Sequence, residues 1–180
     1  MEKQAEGESR FVKRLLLLVH RDRVEEALPS LLDDLWNLSK NWGREGVIDP
    51  FVEMYDLIFQ MTVRVATCRE IYGDRTAVIK LEKNFLNLEK TASAFSILFP
   101  WFPGPSQLGR LKSLIAIIKK FQQTAQQRRN ASNVGKDGID ALIAEGDSDE
   151  TIAGTLMGFM LAGTVNTGIM GECVMGLNQA

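Results

Sequence analysis

The chain is predicted to be all-α, an antiparallel helical bundle, and three observations predict it. Apolar residues recur at helical spacing through most of its 180 residues. No stretch reads as a convincing strand, a heptad run or an internal repeat. Glycine- and proline-bearing segments fall between the periodic stretches, where a bundle of antiparallel neighbours needs its turns.

The totals are those of one domain with a sizeable core: 45% hydrophobic and 24% charged residues. A net charge of -2 leaves no electrostatic footprint for nucleic acid or an anionic membrane surface. Cys68 and Cys173 fit no metal spacing and no disulfide framework, so a reducing, intracellular compartment is expected. The first nine residues are polar and do not read as a secretory signal. The apolar run 15–19 is far too short to span a bilayer.

The elements follow in order. Residues 21–42 place Val24, Leu28, Leu31, Leu32, Leu35, Leu38 and Trp42 at helical spacing, with a kink or a late start expected at Pro29. Asp49 and Pro50 open the next helix as N-cap and first residue. Its buried stripe is expected to be Phe51, Met54, Tyr55, Ile58, Met61 and Val65, and Gly73 closes it. A third helix, 75–97, turns around Val78, Leu81, Phe85, Leu88, Ala92 and Phe95. Residues 100–105 hold three prolines and read as a loop carrying Trp101 and Phe102. These aromatics either line an entrance or simply pin the loop to the bundle. A fourth helix, 106–129, has the stripe Leu108, Leu111, Leu114, Ile115, Ile118 and Phe121. A polar linker (130–138) and a short helix (139–144) ending at Gly146 come next.

The segment 148–180 is the most informative. No charged residue occurs from 151 to 171, so the helix is expected to be buried. Asp147 with Glu150 three residues on predicts a capping box at its start. Gly154, Gly158, Gly163, Gly168, Gly171 and Gly176 each cost about 1 kcal/mol relative to Ala in a helix. Something flat or close is therefore expected against this helix. The run is long enough to cross a bilayer, but its Thr, Asn and Gly content favours a buried core helix.

Asn166 and Thr167 set polar groups into that apolar rod. A helical Thr hydroxyl can bond a carbonyl one turn earlier and open the helix locally, which would make a groove for a small ligand. The plainer reading is a Thr and an Asn satisfied by neighbouring helices. His20 is the only histidine and has no partner for a metal site, so a solvated or capping role is expected. Both cysteines read as small core residues. Lys119-Lys120 and Arg128-Arg129 read as a solvated face and a helix C-terminal charge.

Ala162-Gly163-x-x-Asn166-Thr167 on a buried, acid-capped helix resembles the central helix of cytochrome P450 haem-thiolate monooxygenases. Phe59-Gln60-Met61-Thr62-Val63-Arg64 and Leu98-Phe99-Pro100-Trp101-Phe102-Pro103 are similar to fungal members, as is the order of the helices before them. The resemblance makes residues 21–180 a partial domain of that fold and leaves 1–20 poorly matched. It implies haem as cofactor and Thr167 as the residue that helps deliver protons to iron-bound oxygen. Ala162 and Gly163 would be the small pair at the cofactor, and Phe159 would line the substrate pocket. Asn166 stands where the family carries an acid, and an amide does not titrate. The resemblance also implies a small organic substrate, a flavoprotein reductase partner and anchoring at the endoplasmic reticulum.

Neither cysteine sits in the family's Phe-x-x-Gly-x-Arg-x-Cys-x-Gly loop: Arg64 and Ile169 occupy the Gly positions. No Glu-x-x-Arg occurs. The chain thus reads as an internal slice of a longer protein, inactive alone and prone to self-association. A non-catalytic helical remnant and an unrelated bundle binding an apolar ligand are the alternatives.

Overall fold

The computed structural model describes residues 2–41, 49–90, 105–131 and 136–176, with the side chains of 2–9, 41, 50–52, 89–90, 105–107 and 165–176 outside the description. Every regular element among the described residues is helical. In chain order they are α1 (Glu2–Leu18), α2 (Arg21–Asn41), α3 (Pro50–Ala66), α4 (Arg69–Tyr72), α5 (Arg75–Lys90), α6 (Pro105–Asn130), α7 (Gly138–Ala144) and α8 (Asp149–Gly176). α8 is the axis. It packs between α3 and α6, α5 lies outside α6, and α2 lies outside α3.

The core is built where these helices meet. Phe59 and Val63 of α3, Phe85 of α5, Ile117 and Phe121 of α6, and Ile152, Leu156 and Met160 of α8 are all fully buried. Each such side chain is worth about 1.5–3 kcal/mol relative to exposure. Phe59 meets Phe85 edge-on at 5.5 Å between ring centres, which locks α3 to α5.

Local chemistry explains the boundaries. Asp49 precedes α3, and its carbonyl accepts the Glu53 N–H at 3.1 Å. Asp74 caps α5 through Oδ1 on the Thr76 N–H at 2.9 Å. Pro105 is not the last residue of the loop but the first of α6, where a missing N–H costs nothing. Gly146 ends the α7 turn at φ +81°, a conformation that favours glycine. The expected faces of α5 (Val78, Leu81, Phe85, Leu88) are buried. Ala92, Phe95, Trp42, Trp101 and Phe102 lie outside the described residues.

Three expectations about the elements are corrected. Residues 2–18, given no helix from the sequence, form α1, and its Leu18 is fully buried. α2 begins at Arg21 and runs through Pro29, so there is no late start. The helix expected from Asp49 to Gly73 breaks at Thr67 and Cys68. The Thr67 hydroxyl donates back to the Val63 carbonyl at 2.6 Å, and the Thr67 carbonyl accepts the Gly138 N–H at 3.1 Å. A bond spent on the linker is not available to the helix.

The buried faces also turn out rotated. In α6, Leu108 (60% exposed), Leu111 and Ile115 face outward, while Ser113, Ile117, Phe121, Thr124 and Ala125 face in. In α2, Leu28, Leu32, Leu35 and Trp36 are exposed, and in α3 Met54 is exposed while Leu57, Phe59 and Val63 are buried. Among the described residues no helix is long and apolar enough to cross a membrane.

Candidate functional site

The start of α8 differs from the expected capping box. Ser148 is the cap: its Oγ accepts the Thr151 N–H at 3.3 Å, and its carbonyl accepts the Ile152 N–H at 2.9 Å. Asp147 is turned away and grips Arg14 of α1. Arg129, at the end of α6, reaches Asp149 at 2.8 Å and the Asp147 carbonyl.

Along α8 the glycines meet different things. A Cβ on Gly158 would stand 2.7 Å from the Phe11 ring of α1, so an aromatic plane covers that turn. A Cβ on Gly163 would stand 3.1 Å from the Thr62 methyl carbon and 3.2 Å from its hydroxyl, so α3 approaches closely there. Gly154 faces open space. The flat or close neighbour expected from the glycines is thus protein at two of the three, a ring and a helix.

Two threonine hydroxyls flank the α3–α8 contact. Thr164 is buried and donates to the Met160 carbonyl at 2.9 Å. Thr62 donates to the Ile58 carbonyl at 2.7 Å. Thr164, one turn before Thr167, makes a back-bond of the kind argued for Thr167. Sequence reading passed over Thr164, although it lies inside the motif.

The predicted site residues divide. Ala162 is exposed and Gly163 is half-buried against Thr62. Phe159 is half-buried and packs on the core. Asn166 and Thr167 lie in α8, one helical turn after Ala162 and Gly163 respectively, with side chains outside the described residues. Cys173 is also outside them. Cys68 is fully buried, and burial first, then its bond to Glu70, pushes its thiol up to about 12. His20 is exposed, and its carbonyl accepts the Val24 N–H at 3.1 Å at the start of α2. Among the described residues no three His, Cys, Asp or Glu side chains gather as a metal site.

Arg128 corrects a second expectation. It is not a solvated helix-end charge. Its guanidinium, 11% exposed, holds Asp137 at 2.8 Å, Asp140 at 3.1 Å and Glu70, tying α4, the linker and α7 to α6. Burial works against its charge, but Glu70 and Asp140 outweigh it and raise the pKa further. Burial also raises Asp140 against the pull of Arg128. Glu70 is lowered: burial opposes its charge, and the Arg128 bond overcomes that.

No family model matches the chain. The chain is similar to fungal cytochrome P450 monooxygenases. Cytochrome P450 monooxygenase nsrP of Aspergillus novofumigatus is 24% identical over 162 residues, 89% of this chain and 31% of that protein. Cytochrome P450 monooxygenase AacuE of Aspergillus aculeatus is 22% identical over 176 residues, 95% of this chain and 35% of that protein. Cytochrome P450 monooxygenase claM of Passalora fulva is 22% identical over 165 residues. The chain spans about a third of the length of these relatives.

Proposed function

We propose that this chain is the helical part of a cytochrome P450 monooxygenase that surrounds the oxygen-binding side of the haem, and that it is inactive without a cysteine-bearing loop. The similarity to three such monooxygenases along about nine-tenths of the chain carries this reading. The residues present suit a planar cofactor on one side only. Ala162 leaves an open, small-residue flank on α8. A thiolate ligand must be deprotonated, and Cys68 is held as a buried thiol. The haem would supply oxygen activation when bound. Thr167 would pass a proton through its hydroxyl, and Asn166 would orient that hydroxyl without titrating. Ala162 and Gly163 would keep the flank clear, and Phe159 would border the substrate.

The test is the transcript sequenced beyond the codon for Ala180. A frame that continues into a Glu-x-x-Arg and a cysteine haem loop supports the reading. Thr167→Ala in that intact enzyme should then slow product formation about tenfold or more while oxygen is still consumed. A stop codon in the mature message overturns catalysis by this polypeptide.

A second reading is a non-catalytic helical protein that associates through apolar faces. The exposed Leu28, Leu32, Leu35 and Trp36 of α2 and Leu108, Leu111 and Ile115 of α6 favour it.

A further inference from the structure

A cleft of about 730 Å3 opens between α2, the α3–α4 junction, the end of α6 and residues 136–137, and no described residue of α8 lines it. Five cations reach its wall, and two of them are committed. Arg64 is held by Asp34 at 2.8 and 2.9 Å, and Arg128 by its three carboxylates. Arg23, Arg69 and Lys136 line the same wall with no ion pair among the described residues.

Arg23 is the most buried of the three. Its guanidinium makes only long bonds, to the Leu17 carbonyl at 3.3 Å and the Val65 carbonyl at 3.4 Å. Its Nε is buried with no hydrogen-bond partner among the described residues. Burial lowers its pKa in spite of the nearby charges of Asp137, Asp140 and Glu26. A buried donor without an acceptor is costly, and a half-buried cation that no carboxylate meets at contact distance among the described residues is incompletely offset. The wall carboxylates do not fill the role, since Glu70 and Asp137 already face Arg128 and Glu26 is exposed.

We propose that this cleft binds the phosphate group of a small soluble molecule, held by Arg23, Arg69 and Lys136. Three cations with no ion pair among the described residues suit a dianion better than a single carboxylate. A guanidinium fork matches two oxygens of one phosphate, and Lys136 adds a point charge. The oxyanion offsets the desolvation of Arg23 through space. It also supplies an acceptor for Nε once the two long carbonyl bonds yield. The site needs no haem and stands apart from the monooxygenase reading.

Inorganic phosphate is the probe, titrated into the full chain at constant ionic strength with chloride as reference. Thermal unfolding and calorimetry are the readouts. A saturable rise in Tm with phosphate and none with chloride is expected. Arg23→Gln risks misfolding, so the deciding variant is Arg69→Ala with Lys136→Ala, both at exposed positions. With helical content unchanged, it should bind phosphate about tenfold more weakly. A response equal to that of chloride, or one that survives in the double variant, overturns the proposal. So does binding to phosphatidic acid vesicles with no response to inorganic phosphate.

Discussion

Arg14 holds Asp147 with two parallel bonds, Nε to Oδ2 at 2.7 Å and a terminal nitrogen to Oδ1 at 2.6 Å. The N-terminal helix thereby fixes the turn from which α8 starts. Asp147 is 8% exposed and forms a partly buried ion pair with Arg14. Nearby, Lys13 meets Glu145 at 2.9 Å and Phe11 covers Gly158.

Arg14→Ala should therefore cost about 2 kcal/mol of stability, since it leaves a buried carboxylate without its main cation. A double-mutant cycle with Asp147→Ala, read by urea unfolding, should return a coupling of about 1 kcal/mol or more. Additive effects would show that the two residues act independently.

Gly138→Ala should be the most damaging glycine substitution. A Cβ there would overlap the Ala66 carbonyl oxygen, which is backbone and cannot swing aside. The loss is expected to be about 3 kcal/mol, with the Gly138–Thr67 bond broken. By contrast, Gly158→Ala meets only the end of the Phe11 ring, and Phe11→Leu should rescue it. Unfolding midpoints of the three variants measure this order.

Arg128→Met should destabilise by about 3–5 kcal/mol, because Asp140 is 7% exposed and would be left without its cation. Adding Asp140→Asn should recover part of the loss. The pH dependence follows from Glu70. Its folded pKa lies below the ordinary 4.5, so its contribution is present above pH 4.5 and fades as pH falls through the folded value. Glu70→Gln should flatten the acid limb of a stability–pH curve.

Cys68 should resist alkylation in the folded chain and react once denatured, measured in a Cys173→Ser background. Its folded thiol ionises near 12 against 9.0 for the free group. The unfolded thiol therefore ionises first as pH rises. Folded stability should fall between pH 9 and 12, and Cys68→Ala should remove that fall.

Leu28→Glu with Leu111→Glu should reduce any self-association of the chain without loss of helical content, since both side chains are about half exposed. Sedimentation velocity checks it. Association unchanged in this variant would place the contact elsewhere.

Several elements were legible in the sequence because their signals are local. Asp49-Pro50 and Gly146 mark ends by backbone chemistry that needs no distant partner. α5 has one apolar face, so its spacing named the right residues. The helical character of 148–176 was legible in the same way. Cys68 was read as a core residue, and it is buried.

Which face goes inward was decided by tertiary structure wherever a helix is apolar on more than one side. α6 presents Leu108, Leu111 and Ile115 on one flank and Ile117, Phe121 and Ala125 on another, and periodicity ranks them equally. The position of α8 and α5 selected the second flank. Arg128 looks like a helix-end charge until the linker folds back with Asp137 and Asp140. Asp147 looks like a cap until α1 brings Arg14 to it. The chain alone thus determined an all-helical molecule and most of its helix boundaries, because hydrogen bonds within a helix are local. Burial, ion pairing and the break at Thr67 depend on which residues far apart in sequence come together, and only the packed structure decided those.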